Sequence, residues 1–154
     1  MFIPAEDQSG QASIQDLAEG KFMVGNPEGV LVSPPGLGLL SQIEKRMSVD
    51  FTKMSMEELC EVMPRFILDD LNLAMEMELT PSDDQVGLRL VDSVYKGLYG
   101  GENDLKSVTL LGCPIASAVA CAVAKTSGRP VFIQDHGITV EGSTVRVLYQ
   151  IVKG

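Results

Sequence analysis

The sequence contains no tryptophan, one histidine and three cysteines in 154 residues. With a single imidazole, His136, and no Cys-x-x-Cys pair, nothing in the spacing builds the closed ligand set of a structural zinc, and no metal or other cofactor is expected. Cys60, Cys113 and Cys121 are odd in number and lack framework spacing, which excludes a disulfide scaffold. Together with the lack of a signal-peptide pattern, they point to a reducing compartment and a cytoplasmic location. Basic residues are also scarce, 12 Lys and Arg against 21 Asp and Glu, for a formal charge of −9. That average field repels a phosphate backbone, so nucleic acid is not an expected partner. Charges, glycines or prolines interrupt every apolar run before the roughly 20 residues a helical span needs, so direct membrane insertion is not expected.

What is present suffices for one core. At 45% hydrophobic residues, a chain of this length buries roughly two-thirds of its unfolded surface. Residues 1–29 are mostly polar and lack a sustained apolar period. They are expected to be peripheral or poorly ordered, with at most a short helix around Ile14 to Ala18. Residues 30–154 are expected to form a single domain.

Val30 to Val32 is a short apolar run, and SPPGLGLL leads into a helix from about Gly36 to Met47. The Gly36-Leu37-Gly38 step lacks the third glycine of a dinucleotide turn, since Ser41 stands there, so a proline-set helix start is the reading preferred. Ser55-Met56-Glu57-Glu58 is a capping box for a helix whose apolar stripe is Leu59, Cys60, Met63, Phe66 and Ile67. Pro64 kinks that helix or restarts it. From Met75 the period becomes two: Met75, Met77 and Leu79 alternate with Glu76 and Glu78, and Val86, Leu88 and Leu90 repeat the pattern after TPSDDQ, which predicts a hairpin. A short helix is expected over Ser93 to Tyr99, and a β-prone run over Ser107 to Leu111.

Gly112-Cys113-Pro114 then opens a helix that is almost wholly apolar and small-sided, closed by Gly128. Such a helix is buried on most sides. Val131 to Val140, bent around Asp135-His136-Gly137, and Val145 to Ile151 form the closing hairpin. The order helix, helix, strand, strand, helix, helix, strand, strand predicts an α+β fold, an antiparallel sheet of two hairpins packed by helices on one side.

From about Ser55 to Val152 this order resembles the four-vinyl-reductase domain family, which shares a superfamily with the TRAPP transport-particle subunits. The resemblance is carried by NLAMEMELTPSDDQVGLRLVDSVYKGL, similar to the family's first hairpin, and by GCPIASAVACAVAKTSGRPVFIQDHGITVEGSTVRVLYQI, similar to its small-residue helix and closing hairpin. It implies a non-enzymatic binding domain, sensor-like or carrier-like, that holds a small hydrophobic molecule or docks a protein partner, commonly as a homodimer. Zinc-binding members carry a glutamate and cysteines on the closing hairpin, where this chain has Gln134, Gly137 and Val145, so the metal site does not carry over.

Two other chemistries compete. Cys113 begins a helix, where the dipole and free amides stabilise a thiolate, and a cysteine-dependent enzyme would use it as nucleophile with His136 approaching across the fold. The alternative is a purely structural assembly module. For the binding reading, methionines concentrated in the first half (Met47, Met54, Met56, Met63, Met75, Met77) suit an adaptable apolar site. The expected ligand-binding residues are Met75, Met77, Leu88, Leu90, Tyr95, Tyr99, Cys113, Val119 and Cys121, placed between the first hairpin and the middle helices.

Overall fold

In the computed structural model the chain divides into two units, Met1–Pro34 and Pro35–Gly154. The structure describes residues 1–4, 23–25, 28–99, 106–139 and 141–153. In the first unit β1 (Phe2–Pro4), β2 (Met23–Gly25) and β3 (Glu28–Leu31) pair antiparallel in the order β1-β3-β2. The Met1 ammonium donates to the Val32 carbonyl at 2.9 Å, and the Val32 amide donates back to Met1 at 2.8 Å. The sequence reading did not anticipate this pairing, because strands of three or four residues are too short to show a period of two. The expected Ile14 to Ala18 helix lies outside the described residues.

The second unit is an α+β fold. Helices α1 (Leu37–Met47) and α2 (Met56–Arg65) come first. The hairpin β4 (Glu76–Pro81) and β5 (Gln85–Val91) follows, then helices α3 (Lys106–Leu111) and α4 (Pro114–Ser127). A second hairpin, β6 (Val131–Ile138) and β7 (Thr144–Ile151), closes the chain. The four strands form one antiparallel sheet in the order β4-β5-β7-β6, so the two hairpins join through β5 and β7. Alternation decides the faces: Val86, Leu88 and Leu90 on β5 and Val145, Val147, Tyr149 and Ile151 on β7 turn inward and are buried, while the residues between them face outward.

Local signals explain the helix ends. The Ser55 hydroxyl accepts the Glu58 amide at 3.2 Å and the Glu58 carboxylate accepts the Ser55 amide at 2.8 Å, completing the capping box. Pro64, which cannot donate to the helical ladder, sits at the end of α2, and the chain continues as a wider π turn over Phe66–Asp70. Gly128, at φ 66°, ends α4.

Two local expectations are corrected. Ser107 to Leu111 is helical, not extended: the β-branched Val108 and Thr109 favour strand, but Val108 is buried in the core cluster and tertiary packing outweighs so short a propensity signal. The expected helix over Ser93 to Tyr99 is a single 3-10 turn, Lys96–Leu98, where Gly97 and the short spacing do not sustain a helix. One stretch, Ser107–Ser127, has the length and hydropathy of a membrane span, which corrects the expectation that no run reaches it. It is broken at Gly112, whose φ is 71°, into α3 and α4, and 56% of its most apolar window is buried inside the protein, as befits a core helix.

Helix α4 is the centre of the unit, packed by α1 and α2 and by β6 and β7. Ile115, Ala116, Ala118, Val119, Ala122 and Val123 are all 0% exposed. Its contact with the start of α1 is backbone against backbone. A Cβ added to Gly36 would overlap the Ala118 nitrogen and lie 2.6 Å from both the Ala118 Cα and the Pro114 oxygen. The Gly36 amide is satisfied by the Ser117 hydroxyl at 3.0 Å.

This geometry gives paired substitutions of opposite sign. Gly36→Ala forces main chain apart and should cost about 2–3 kcal/mol or more in urea-induced unfolding. Gly38→Ala, in the same helix with nothing within 4 Å of an added Cβ, should stabilise by about 0.5–1 kcal/mol. Equal effects would show that the approach to α4 is not tight.

Candidate functional site

Most residues expected to bind a guest are brought together, within the hydrophobic core. Met77, Leu88, Leu90, Tyr99, Cys113 and Val119 are between 0% and 8% exposed and belong to one continuous cluster, with Tyr95 and Cys121 partly buried against it. Met75 is the exception. It was expected to turn inward and is 75% exposed. It precedes β4, whose pairing with β5 begins at Glu76 opposite Val91, and its amide is bonded to the Val91 carbonyl at 2.9 Å, so it stands outside the paired rows that turn Met77 and Leu79 inward.

The chemistry-bearing side chains of this interior converge where α4 begins. Cys113 is the N-cap: its sulfur accepts the Ala116 amide at 3.5 Å, and its own amide donates to the Tyr99 hydroxyl at 3.1 Å. The Tyr149 hydroxyl donates to the Ala116 carbonyl at 2.9 Å. Of His136, the contact seen is with Tyr99 and not with the Cys113 thiol. His136 lies in strand β6, opposite Val147, and its ring meets Tyr99 edge to face with centroids 5.9 Å apart. Its Nε2 is buried and has no hydrogen-bond partner among the described residues. The irregularity expected around Asp135-His136-Gly137 is a bulge between Ile133 and Asp135, which restores the inward phase for His136.

Burial sets the protonation of the neighbours. It pushes the Cys60 thiol up from 9.0 to about 11, with Glu57 adding to the effect. Burial also raises Cys121, against the opposing pull of Lys125. Tyr99 is raised by burial and then by Cys113, and Tyr149 well above its ordinary range by burial. Among the described residues no three His, Cys, Asp or Glu side chains gather as a metal site would require.

An open concavity lies on the other face of the sheet. A groove of about 530 Å³ is lined by Glu78 and Thr80 on β4, Gly87 and Arg89 on β5, Arg146 and Leu148 on β7, and Asp135 and Gly137 on β6. Its rows follow from register: Glu78, Arg89, Arg146 and Gly137 lie side by side, and so do Thr80, Gly87, Leu148 and Asp135. Arg89 is held by Glu76 at 2.9 Å. This groove is not among the sites expected from the sequence. Its signals were arginines at the outward phase of two strands and glycines beside them, but only the pairing register sets those residues next to one another.

Two hydroxyl deletions should separate the interior bonds. Tyr99→Phe leaves the buried Cys113 amide without an acceptor and should cost about 1–3 kcal/mol. Tyr149→Phe removes a bond to a carbonyl already inside α4 and should cost about 0.5–1.5 kcal/mol. Chemical denaturation of both variants checks the order. The raised thiols and phenols give a pH dependence as well. The fold favours their neutral forms, so this contribution is intact below the ordinary thiol value of 9.0 and falls as pH climbs toward the Cys60 value of about 11. A urea midpoint that does not fall across that window would contradict the burial.

No curated protein and no solved structure matched the chain. A family model did, over residues 1–150: a domain of unknown function, DUF7982. A match over nearly the whole sequence places the chain within that family. It belongs to the DUF7982 domain family.

Proposed function

We propose that this chain is a non-catalytic binding domain that engages its ligand or partner on the outer face of the four-stranded sheet. The observation that carries this reading is the contrast between the two faces. The inner positions are occupied by side chains of the core cluster, whereas the outer face offers a groove of about 530 Å³ in which charged, hydroxyl and glycine positions stand among apolar ones such as Leu148. Ligand pockets combine such a concavity with a few convergent polar groups. A hydrophobic guest between sheet and helices would have to displace Leu90 and Val119, each 0% exposed.

Burial of Cys113 supports the non-enzymatic reading over a thiol-dependent enzyme. Its side chain is committed to capping α4 and it is 1% exposed, while a nucleophile must meet its substrate. Free Cys60, Cys113 and Cys121 fit a reducing, cytoplasmic setting. The likeness to four-vinyl-reductase domains rests on the order of hairpin, small-residue helix and hairpin, and the homodimer it implies belongs to the same proposal.

Thiol labelling and native mass spectrometry test it together. With iodoacetamide near neutral pH, Cys113 should remain unmodified for hours in the folded protein and react at once when unfolded. Rapid folded-state labelling of Cys113 would favour the enzyme. Native mass spectra of freshly purified protein should report two subunits, and hydrogen exchange should place any bound molecule or partner on β5 and β7 outward positions. A molecule that protects only α4 would return the site to the interior.

A further inference from the structure

Resting on that outer-face reading, we propose that Arg146 and Arg89 form the anion-recognising centre of the groove and that its ligand is a small zwitterion, with carboxylate on the guanidiniums and ammonium on the rim carboxylates. The register makes Arg89 and Arg146 direct partners across the β5–β7 pair. Like charges placed directly opposite destabilise a sheet, so this pairing works against the fold when the groove is empty. Arg89 is answered by Glu76 at 2.9 Å. Arg146 has no carboxylate within ion-pair distance among the described residues, and it is exposed.

The neighbours keep that guanidinium reachable. Its partner on β6 is Gly137, and a Cβ built there would meet nothing within 4 Å. Gly87 precedes Arg89 by two on the same face, and its only near atom would be the Thr80 carbonyl oxygen at 3.8 Å. Two glycines at outward positions cut the trough in which planar, bidentate donors meet a carboxylate. The rim then decides the ligand class. Glu78 and Asp135 bring negative charge to either side of the arginine pair, and Thr80 and Thr139 bring hydroxyls. A phosphate or polyanion would be repelled by that rim and by the net charge of −9. A carboxylate that carries its own ammonium satisfies both charges at once. At about 530 Å³ the groove is large enough for a small amino-acid-like molecule.

The test is calorimetric titration of the intact chain with glycine, β-alanine and 4-aminobutyrate as zwitterions, acetate and methylamine as half-ligands, and inorganic phosphate. At least one zwitterion should bind about tenfold or more tightly than acetate, with phosphate weaker still. Arg146→Gln should abolish the binding, Arg146→Lys should retain part of it, and Asp135→Asn should reduce the zwitterion to the acetate level without weakening acetate. Lys153→Gln, outside the groove, should change nothing. In the ligand-free protein Arg146→Gln should raise the urea midpoint, because it removes the like-charge pair, and this also shows that the variant folds. Phosphate binding tighter than every zwitterion, unchanged binding in Arg146→Gln, or no binding of any probe overturns the zwitterion. If hydrogen exchange then still shows a partner protecting β5 and β7, the outer-face reading stands alone. If protection lies elsewhere, both fail.

Discussion

The contact on which the second unit depends is the seating of Gly36 against α4. Main chain can approach main chain only where side chains are missing, and both partners meet that condition: Gly36 has no Cβ, and the α4 residues beneath it are Pro114, Ser117 and Ala118. The Ser117 hydroxyl accepts the Gly36 amide, so this close approach leaves that donor satisfied. From this point α1 runs along α4, burying Leu40 and Ile43, and the Lys125–Glu44 ion pair at 2.7 Å closes its far end. The small residues that permit the approach on the helix side also let α4 contact the sheet. Tyr149 reaches from β7 to the Ala116 carbonyl, and Ile133 lies close to where a Gly112 Cβ would stand.

That arrangement explains what could be read from residues alone. The hairpins were legible because their two faces differ in solvent: Glu76, Glu78 and Arg89 outward, Met77, Leu79 and Leu90 inward. The burial of α4 was legible because no polar face exists on it to be wetted. The capping box was legible because both of its bonds are local. Each of these signals lies within a few residues of sequence.

What escaped is what depends on distant partners. Gly36 is legible as a helix start, yet its packing role needs Ala118, some eighty residues away. Ser107 to Leu111 has the composition of a strand, and only the burial of Val108 makes the helix worthwhile. Met75 obeys the alternation in sequence but precedes β4, and a period carries no information about where the paired strand starts. The arginine pair is the extreme case. Arg89 and Arg146 are both ordinary outward strand residues, and their opposition exists only through the β5–β7 register.

The two faces therefore divide the work of the sheet by physical necessity. Inside, the Cys113 amide and sulfur and the Tyr99 and Tyr149 hydroxyls are committed to structural bonds, and His136 Nε2 is the buried side-chain nitrogen left without one among the described residues. Freedom to bind without unpacking lies outside, where Gly87 and Gly137 add nothing to the core and remove side-chain cover from the strand surface. In an acidic chain, two guanidiniums placed opposite one another raise the energy of the sheet, and on the proposed reading a bridging anion would relax it. A residue pair that is unfavourable for folding is the kind of feature a merely solvated surface has no reason to keep, and that is the physical ground of the proposed outer-face site.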